Sequence, residues 1–325
     1  MTRIISATVE RWPVAGAFII SRGAKTSVDV VLCTVGDGEH VGRGEGTPIY
    51  YEGETAEGCA AAIREYKGPL DREALLENMP RGAARNALDC ALWDLEAKRA
   101  GTPVWRLAGL DAPGSLPTAF TISLNDPTQM EIDARAAAAR GFALLKCKLT
   151  GESDRARIAA VRAGAPDARL IVDANESWHD LDIAAEAQAL ADLGVEMVEQ
   201  PIIHGREDRL AGIRSPLPLC ADESCHTRVD LDRLGDFDAV NIKLDKAGGL
   251  TEALALATEA RARGFRIMVG CMLGTSLGIA PAALVAQGAD WVDLDGALLL
   301  AKDREGGLVL HDGLLRPGAL WGAGQ

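Results

Sequence analysis

Charged residues recur at nearly constant intervals at the ends of strand-like segments in this chain. The five positions are Lys148, Asp173, Glu199, Asp222 and Lys243, which are separated by 25, 26, 23 and 21 residues. The segments that they end are ALLKCKL, RLIVDAN, VEMVEQP, LPLCADE and DAVNIKL. In a parallel barrel the carboxyl ends of successive strands meet at one mouth, where the active site forms. The spacing therefore predicts a barrel with a charged mouth.

Eight strand-like runs alternate with helix-like stretches from Leu116 onward, which predicts a parallel sheet closed into a barrel. Besides the five runs above, they are PTAFTISL, RIMVGCML and WVDLDGA. No periodic helix follows the eighth run. We therefore predict an α/β fold with a TIM-type (β/α)7β barrel over residues 116–302. An open doubly wound sheet is the alternative, but it would not place charge so regularly at strand ends.

The first third of the chain has a different pattern. RIISATVE and SVDVVLCTV are rich in β-branched residues and predict an antiparallel pair of strands. A helix with an apolar stripe follows and ends at Gly101. The stripe consists of Leu88, Ala91, Leu92 and Leu95. We predict an α+β capping domain over residues 1–115, completed by the C-terminal segment 303–325.

Composition limits the partners and the location that we expect. The 325 residues carry a net charge of −13, which argues against nucleic acid and against an anionic membrane surface as partners. The seven cysteines lack CxxC spacing and are expected to be reduced thiols in the core. The N-terminal residues lack the apolar stretch of a signal peptide, and no apolar run reaches membrane-spanning length. A cytoplasmic location is the resulting expectation.

Three carboxylates lie on consecutive predicted strands and are expected to bind a metal ion. The side chains of Asp173, Glu199 and Asp222 would converge, and three negative charges packed together need a cation. Ligation by oxygen alone suits Mg²⁺, whereas zinc more often recruits His or Cys. The five histidines show no H-x-x-H spacing. For any single carboxylate, a helix N-cap or a salt bridge is the alternative.

Lysines on either side of this predicted metal site suggest proton transfer. Lys146 and Lys148 point the same way because strand side chains alternate, and two adjacent ammonium groups can lower the pKa of one of them. Solvation at a frayed strand end is the alternative. Lys243 would lie across the barrel, so one lysine could remove a proton and the other return it to the opposite face. Lys246 is expected to be a surface or loop residue.

The motifs KCK, DAN, VEQP, ADES and NIKLDKAGG together resemble the enolase superfamily in its muconate-lactonizing branch. The helical segment ALDCALWDLEAKRAGTPVWRLAG is similar to the capping domain of that family. The resemblance implies Mg²⁺ bound by Asp173, Glu199 and Asp222. It also implies Lys148 and Lys243 as the acid/base pair, with Lys146 supporting the substrate carboxylate.

The predicted eighth strand narrows the reaction. In WVDLDGA, Asp293 and Asp295 share one face, and this D-x-D resembles the dipeptide epimerases, where it binds the free α-amino group. An ion pair with a neighbouring lysine is the alternative. The resemblance implies epimerisation at the α-carbon of the C-terminal residue of a dipeptide. Thr121, on the first predicted strand, is a further candidate for substrate binding.

Two loops of the predicted cap bear on which dipeptide is bound. FIISRGAKTS resembles the specificity loop of Ala-Glu epimerases, with Lys25 where some relatives carry Arg. TPIYYEGET departs from the more usual P-Y-x-R-Y-G-E by placing Tyr51 and Glu52 where Arg and Tyr would be. An acidic Glu52 would disfavour a glutamate substrate. L-Ala-D/L-Glu is nevertheless the leading expectation.

Several alternatives remain open at this point. A muconate cycloisomerase or an o-succinylbenzoate synthase would share the lysines and metal ligands but would have no use for Asp293 and Asp295. An N-acylamino acid racemase is a further member of the same superfamily, and a sugar-acid dehydratase would normally need a histidine on the seventh strand. A catalytically silent ligand-binding barrel would not need both opposed lysines. A homo-oligomer is compatible with each of these.

Overall fold

The N-terminal part of the computed structural model, which describes residues 4–20 and 23–325, begins with an antiparallel sheet. Its three strands, in the order β1-β2-β3, are Ile4–Ile20, Gly23–Gly36 and Val41–Gly46. Val9 of β1 lies opposite Val31 of β2, so the two β-branched runs pair as predicted. Val31, Cys33 and Val35 alternate onto one buried face of β2, which leaves the opposite face more exposed.

The helices of the cap are α1 Ala56–Glu65, α2 Arg72–Asn78, α3 Ala83–Ala100 and α4 Val104–Leu107, with a 3-10 turn at Tyr50–Glu52. Of these, α1 and α3 cover the buried face of the sheet, and α2 and α4 pack on α3. The predicted apolar stripe of α3 is buried, and the helix ends at Gly101, whose φ of 57° is left-handed. Helix α3 packs directly on β3 because a Cβ at Gly42 would lie only 2.1 Å from the Ala91 carbonyl oxygen. Gly44 and Gly46 approach α3 almost as closely.

Eight parallel strands then form the barrel that the sequence predicts. After the short strand β4, Leu116–Pro117, the elements are β5 Phe120–Ile122, α5 Pro127–Ala139, β6 Leu144–Lys148, α6 Asp154–Gly164, β7 Arg169–Asp173, α7 Ile183–Ala191, β8 Val195–Glu199, β9 Leu219–Ala221, β10 Ala239–Ile242, α8 Leu244–Ala247, α9 Leu250–Ala262, β11 Arg266–Gly270, α10 Ser276–Val285 and β12 Trp291–Asp293. Short 3-10 helices, Glu207–Leu210 and Arg228–Arg233, follow β8 and β9 in place of α-helices. The backbone N–H of Ala119 donates to the Val292 carbonyl at 2.7 Å, which joins the first strand region to the last.

The C-terminal tail contacts both parts of the chain. Its hairpin, β13 Val309–His311 and β14 Leu314–Arg316, pairs with β4 next to the barrel. Trp321 reaches the cap instead, where its Nε1 donates to the carbonyl of Cys90 on α3 at 3.1 Å. On the Trp321 contact we propose a cap of residues 1–115 completed by 303–325, whose hairpin also contacts a barrel of residues 116–302. Within the described chain, no helix is long and apolar enough to cross a membrane.

Candidate active site

The barrel interior changes from an apolar to a polar layer within two residues along the strands. The apolar layer takes one residue from each strand region: Ala119, Leu144, Ile171, Met197, Cys220, Ala239, Met268 and Trp291. Positions two residues further along a strand point the same way. They are occupied by Thr121, Lys146, Asp173, Glu199, Asp222, Asn241, Gly270 and Asp293. Most of the predicted site residues therefore share this one layer.

A third layer lies nearer the mouth and contains both predicted bases. Lys148 and Lys243 are each two residues beyond the polar layer, and each is 8% exposed. Lys148 is the last residue of the second barrel strand and Lys243 follows the sixth of the eight, so they project from opposite sides. Gly270 makes room for this arrangement, because a Cβ there would lie 3.1 Å from Cε of Lys243 and 2.8 Å from Oδ1 of Asn241.

The three predicted metal ligands come together as a buried cluster. Each of Asp173, Glu199 and Asp222 offers an oxygen, and these oxygens lie within 4.8 Å of one another. All three side chains are buried. A set of three carboxylates, with neither imidazole nor thiolate, fits Mg²⁺. When bound, such an ion stabilises the negative charge that develops when a proton next to a carboxylate is removed.

The lysines form close ion pairs with these carboxylates. Nζ of Lys146 lies 2.6 Å from Oε2 of Glu199 and 3.3 Å from Oδ2 of Asp173. Nζ of Lys148 lies 2.7 Å from the same Asp173 oxygen, and Nζ of Lys243 lies 2.6 Å from Oδ2 of Asp222. These three lysines of the barrel therefore face the carboxylate cluster.

These contacts shift the pKa values in opposite directions. Burial works to lower the pKa of Lys146, but Asp293, Glu199 and Asp173 raise it well above its ordinary value. The expected lowering by a neighbouring ammonium group is thus not found at Lys146. Burial and the charge of Asp173 raise the pKa of Glu199 to about 8. Burial also opposes ionisation of Asp222, but Lys243 and Lys246 hold its pKa well below the usual range.

The expectation that Lys246 is a surface or loop residue is wrong. It lies on α8 and is 0% exposed, and its Nζ donates to Oδ1 of Asp222 at 2.5 Å. Two buried amides at the cluster were not among the predicted site residues. Nδ2 of Asn241 donates to Oε1 of Glu199 at 2.7 Å, and Oε1 of Gln200 accepts from the Asp222 backbone N–H at 2.8 Å. Counting two residues on from Ala239 would have found Asn241.

Asp293 and Asp295 both line the cavity, but their surroundings differ. Oδ2 of Asp293 accepts from Nζ of Lys146 at 2.8 Å, so the ion pair considered as an alternative is present. Its Oδ1 is buried and finds no hydrogen-bond partner in the described part of the chain. Oδ2 of Asp295 accepts from the backbone N–H of Thr121 at 2.7 Å. Burial and the nearby Asp293 raise the pKa of Asp295 to about 7.

Residues from the cap cover the mouth of the barrel. Phe18, Lys25, Tyr50 and Tyr51 line the same cavity as the lysines and carboxylates of the barrel. Glu52 does not line this cavity, because its carboxylate is held by Arg81 through contacts of 2.8 and 3.1 Å. The acidic side chain is therefore directed away from this cavity.

Comparison with known proteins identifies the family. Residues 3–109 match the mandelate racemase / muconate lactonizing enzyme N-terminal domain, and residues 129–324 match the enolase C-terminal domain-like family. The chain is 45% identical over 318 residues to L-Ala-D/L-Glu epimerase from Escherichia coli (strain K12), covering 96% of this chain and 99% of that protein. It is 41% identical over 302 residues to N-acetyl-D-glutamate racemase from Pseudoalteromonas sp, covering 90% and 95%.

Solved structures agree with this assignment. An enolase family member from Agrobacterium tumefaciens with homology to dipeptide epimerases, solved with sodium and L-Ala-L-Glu bound, has a TM-score of 0.93. It is 49% identical, with 99% of this chain and 100% of that chain covered. A dipeptide epimerase from Enterococcus faecalis V583, complexed with Mg and L-Leu-L-Tyr, has a TM-score of 0.88 at 32% identity, with 98% of each chain covered. The chain therefore belongs to the mandelate racemase and muconate lactonizing enzyme family of the enolase superfamily, within its group of dipeptide epimerases.

Proposed function

We propose that this protein is an L-Ala-D/L-Glu epimerase that uses Mg²⁺ for 1,1-proton transfer at the α-carbon of the C-terminal residue. The observation that carries the reaction type is the placement of Lys148 and Lys243 on opposite sides of the carboxylate cluster. A substrate between them would present its α-carbon to an amine on each face. One lysine would take the proton while the other delivers one to the opposite face.

The metal cluster and Lys146 would hold the reacting end of the substrate. Asp173, Glu199 and Asp222 would ligate the Mg²⁺, which the substrate carboxylate would then approach. Lys146 is buried against this cluster and carries a positive charge that its carboxylate neighbours stabilise. A fixed cation beside the cluster favours the extra negative charge that forms when the α-proton is removed.

The eighth strand and Thr121 would hold the amino end. Oδ1 of Asp293 is a buried acceptor without a partner among residues 4–20 and 23–325, and leaving such an atom unpaired costs free energy. A substrate ammonium group would satisfy it. Asp295, positioned by the backbone of Thr121, would supply a second carboxylate on the same face.

Lys25 would meet the glutamate side chain. Three of the four lysines that line the cavity are ion-paired with carboxylates of the metal cluster. Lys25 has no such partner among the described residues and instead lies over the ring of Tyr50. It is therefore available to an acidic substrate side chain, which supports glutamate as the C-terminal residue.

Racemisation of an N-acylglutamate is the second candidate function. It is favoured by the ion pair between Asp293 and Lys146, which occupies one carboxylate oxygen that an ammonium group could otherwise use. The same lysines, metal ligands and Lys25 would serve both reactions. The two candidates differ only at the amino end of the substrate, because an N-acyl group carries no positive charge.

Exchange of the α-hydrogen in D₂O tests the proposal. The purified protein with Mg²⁺ would be incubated with L-Ala-L-Glu, L-Ala-D-Glu, L-Ala-L-Leu and N-acetyl-L-Glu, and deuterium uptake followed by mass spectrometry. We expect exchange and epimerisation to be fastest with the two Ala-Glu epimers. Faster turnover of N-acetyl-L-Glu would favour the second candidate function. The absence of exchange with every compound would contradict both candidate functions.

A further inference from the structure

Each carboxylate of the metal cluster has one oxygen held by the protein and the other directed at a lysine of the cavity. Oδ1 of Asp173 accepts from the backbone N–H of Asn175 at 2.9 Å, and Oε1 of Glu199 accepts from Nδ2 of Asn241 at 2.7 Å. Oδ1 of Asp222 is held by Nζ of Lys246 at 2.5 Å. The Asp222 contact is the one of these three in which the donor carries a charge.

Lys246 is surrounded by acceptors. Besides the carboxylate of Asp222, its Nζ donates to the backbone carbonyls of Asp222, Cys225 at 2.8 Å and Asn241 at 3.1 Å. An ammonium group has three protons, so these four acceptors leave no donor free. The side chain is fully buried and does not line the cavity. Lys246 therefore cannot reach a substrate in this arrangement.

Lys243 provides an internal comparison, because it contacts the same carboxylate from the other side. Its Nζ lies 2.6 Å from Oδ2 of Asp222, and the residue lines the cavity. The two lysines of NIKLDK thus each bind one oxygen of the Asp222 carboxylate. One of them faces the reacting centre, and the other faces the backbone of the segment from Asp222 to Cys225.

We propose that Lys246 is a positioning residue that fixes Asp222 as a metal ligand through Oδ2 alone. Its Nζ binds Oδ1 of Asp222 and three backbone carbonyls at the same time. Two of these carbonyls belong to the segment after β9, and the third belongs to β10. Without this lysine, Asp222 could rotate or present both oxygens, and the segment Asp222–Cys225 would lose the contacts that Lys246 makes between it and the Asn241 carbonyl of β10.

Lys246 could affect metal affinity in two ways, through its positive charge and through its hold on Asp222, and the two effects have opposite signs. A buried positive charge beside a cation site repels the incoming Mg²⁺, so its removal would strengthen binding if charge were the main effect. Loss of a group that orients a ligand typically weakens metal affinity by 10- to 100-fold. The direction of the change in a Lys246 variant therefore separates the two effects.

The experiment measures Mg²⁺ binding without substrate. Chelator-treated full-length protein would be titrated with MgCl₂ by calorimetry, comparing wild type with Lys246→Met, Lys246→Gln and Lys243→Met. We expect the Kd for Mg²⁺ to rise at least tenfold in Lys246→Met and by less in Lys246→Gln, which keeps two N–H donors. Lys243→Met is the matched control, since it also removes one ammonium group from Asp222, and its Kd should stay equal or fall.

Unchanged or tighter binding in Lys246→Met would overturn the proposal, as would equal weakening in Lys246→Met and Lys243→Met. If neither Lys246 variant folds, a crystal structure of the wild-type protein soaked with Mg²⁺ decides the matter. Ligation through Oδ2 with Lys246 still on Oδ1 supports the proposal, and bidentate ligation or a displaced Lys246 contradicts it. The inference rests on the proposed metal site but not on the substrate, so a protein that binds Mg²⁺ yet epimerises no dipeptide would refute only the proposed function.

Discussion

The Nζ atom of Lys25 lies 3.9 Å from the centre of the Tyr50 ring, so the cation of one cap segment rests on an aromatic side chain of another. Burial lowers the pKa of Lys25, and the ring offsets part of the lost hydration. Tyr50 in turn packs edge-on against Tyr51, with ring centres 5.5 Å apart. The two cap segments that cover the barrel mouth therefore contact each other through Lys25 and Tyr50.

Replacing Lys25 should weaken selection for glutamate. A hydrogen bond to a charged group contributes about 1.5–3 kcal/mol, so Lys25→Met should raise KM for L-Ala-L-Glu by roughly tenfold or more. KM for L-Ala-L-Leu should change little, and Lys25→Arg should keep the preference for glutamate. Steady-state kinetics on both dipeptides would check this, and an unchanged ratio of kcat/KM values would show that Lys25 does not contact the side chain.

Asp295 should matter for a free amino group and not for an acylated one. A bound ammonium group would favour the ionised form of Asp295. Asp295→Asn removes that negative charge, so KM for L-Ala-L-Glu should rise by about tenfold or more. Any turnover of N-acetyl-L-Glu should be unaffected or improved. Parallel assays of the two compounds measure this, with the carboxylate-retaining Asp295→Glu as the matched variant. Equal losses on both compounds would assign Asp295 a purely structural role.

Loss of Lys148 and loss of Lys243 should leave α-hydrogen exchange on different epimers of the substrate. Lys148→Met and Lys243→Met should each reduce epimerisation by several orders of magnitude, because each removes one of the two proton carriers. Each variant should still exchange the α-hydrogen of one epimer of Ala-Glu in D₂O, since the remaining lysine faces one side of the carbon. NMR of both epimers in D₂O reads this out. Exchange of both epimers by a single variant would contradict the two-base scheme.

Glu52 should not repel a glutamate substrate. Its carboxylate is bound by Arg81, and its Oε1 lies 2.8 Å from Nε2 of His226 on the segment after β9. Burial, with the charge of Lys246, lowers the pKa of His226 to about 3, so this histidine is neutral at pH 7. We therefore expect Glu52→Gln to change KM for L-Ala-L-Glu by less than about threefold. A tenfold fall in that KM would show that the negative charge does reach the substrate.

Stability should fall with rising pH because of a buried carboxyl group where cap and barrel meet. Asp245 accepts hydrogen bonds from the backbone N–H of Thr47 at 2.9 Å and from Nδ2 of Asn86 at 2.8 Å. Burial raises its pKa from 3.8 to about 7. Between these values the folded chain holds a proton that the unfolded chain has lost, so the free energy of unfolding decreases as pH rises through this window.

Asp245→Asn tests this, because the amide imitates the protonated acid. From pH 5 to pH 8 the wild type should lose about 2 to 3 kcal/mol of stability through this group, and the variant should not. Urea unfolding at both pH values measures the difference. Asp167→Asn, at an exposed position, is the control and should keep the wild-type pH dependence. An Asp245→Asn protein with the same pH dependence as wild type would contradict the raised pKa.

The fold and much of the candidate site could be predicted because both follow strand periodicity. Eight apolar runs specify eight strands, and a charged residue two positions beyond a buried one must point into the barrel mouth. The same rule places Asn241 in this layer, but an uncharged amide in a strand is not by itself a sign of an active site. Its partner Glu199 lies 42 residues away in the chain, so the hydrogen bond itself leaves no local signal.

Lys246 and Glu52 could not be predicted for a different reason. Lys246 follows the end of β10 by a few residues, where a lysine is ordinarily solvated, and its burial depends on carbonyls from two separate strand ends. The sequence predicts that Glu52 disfavours a glutamate substrate, because it gives no sign that Arg81, 29 residues further on, binds this carboxylate. In both cases tertiary contacts decide whether a charge faces the cavity.

The cap can complete its folding only after the C-terminal tail has been synthesised, because the tail contacts α3. Residues near Trp321 leave the ribosome only after all eight barrel strands, yet they complete contacts with α3, which emerges early. The cap therefore has to wait with part of its apolar surface uncovered while the barrel is synthesised.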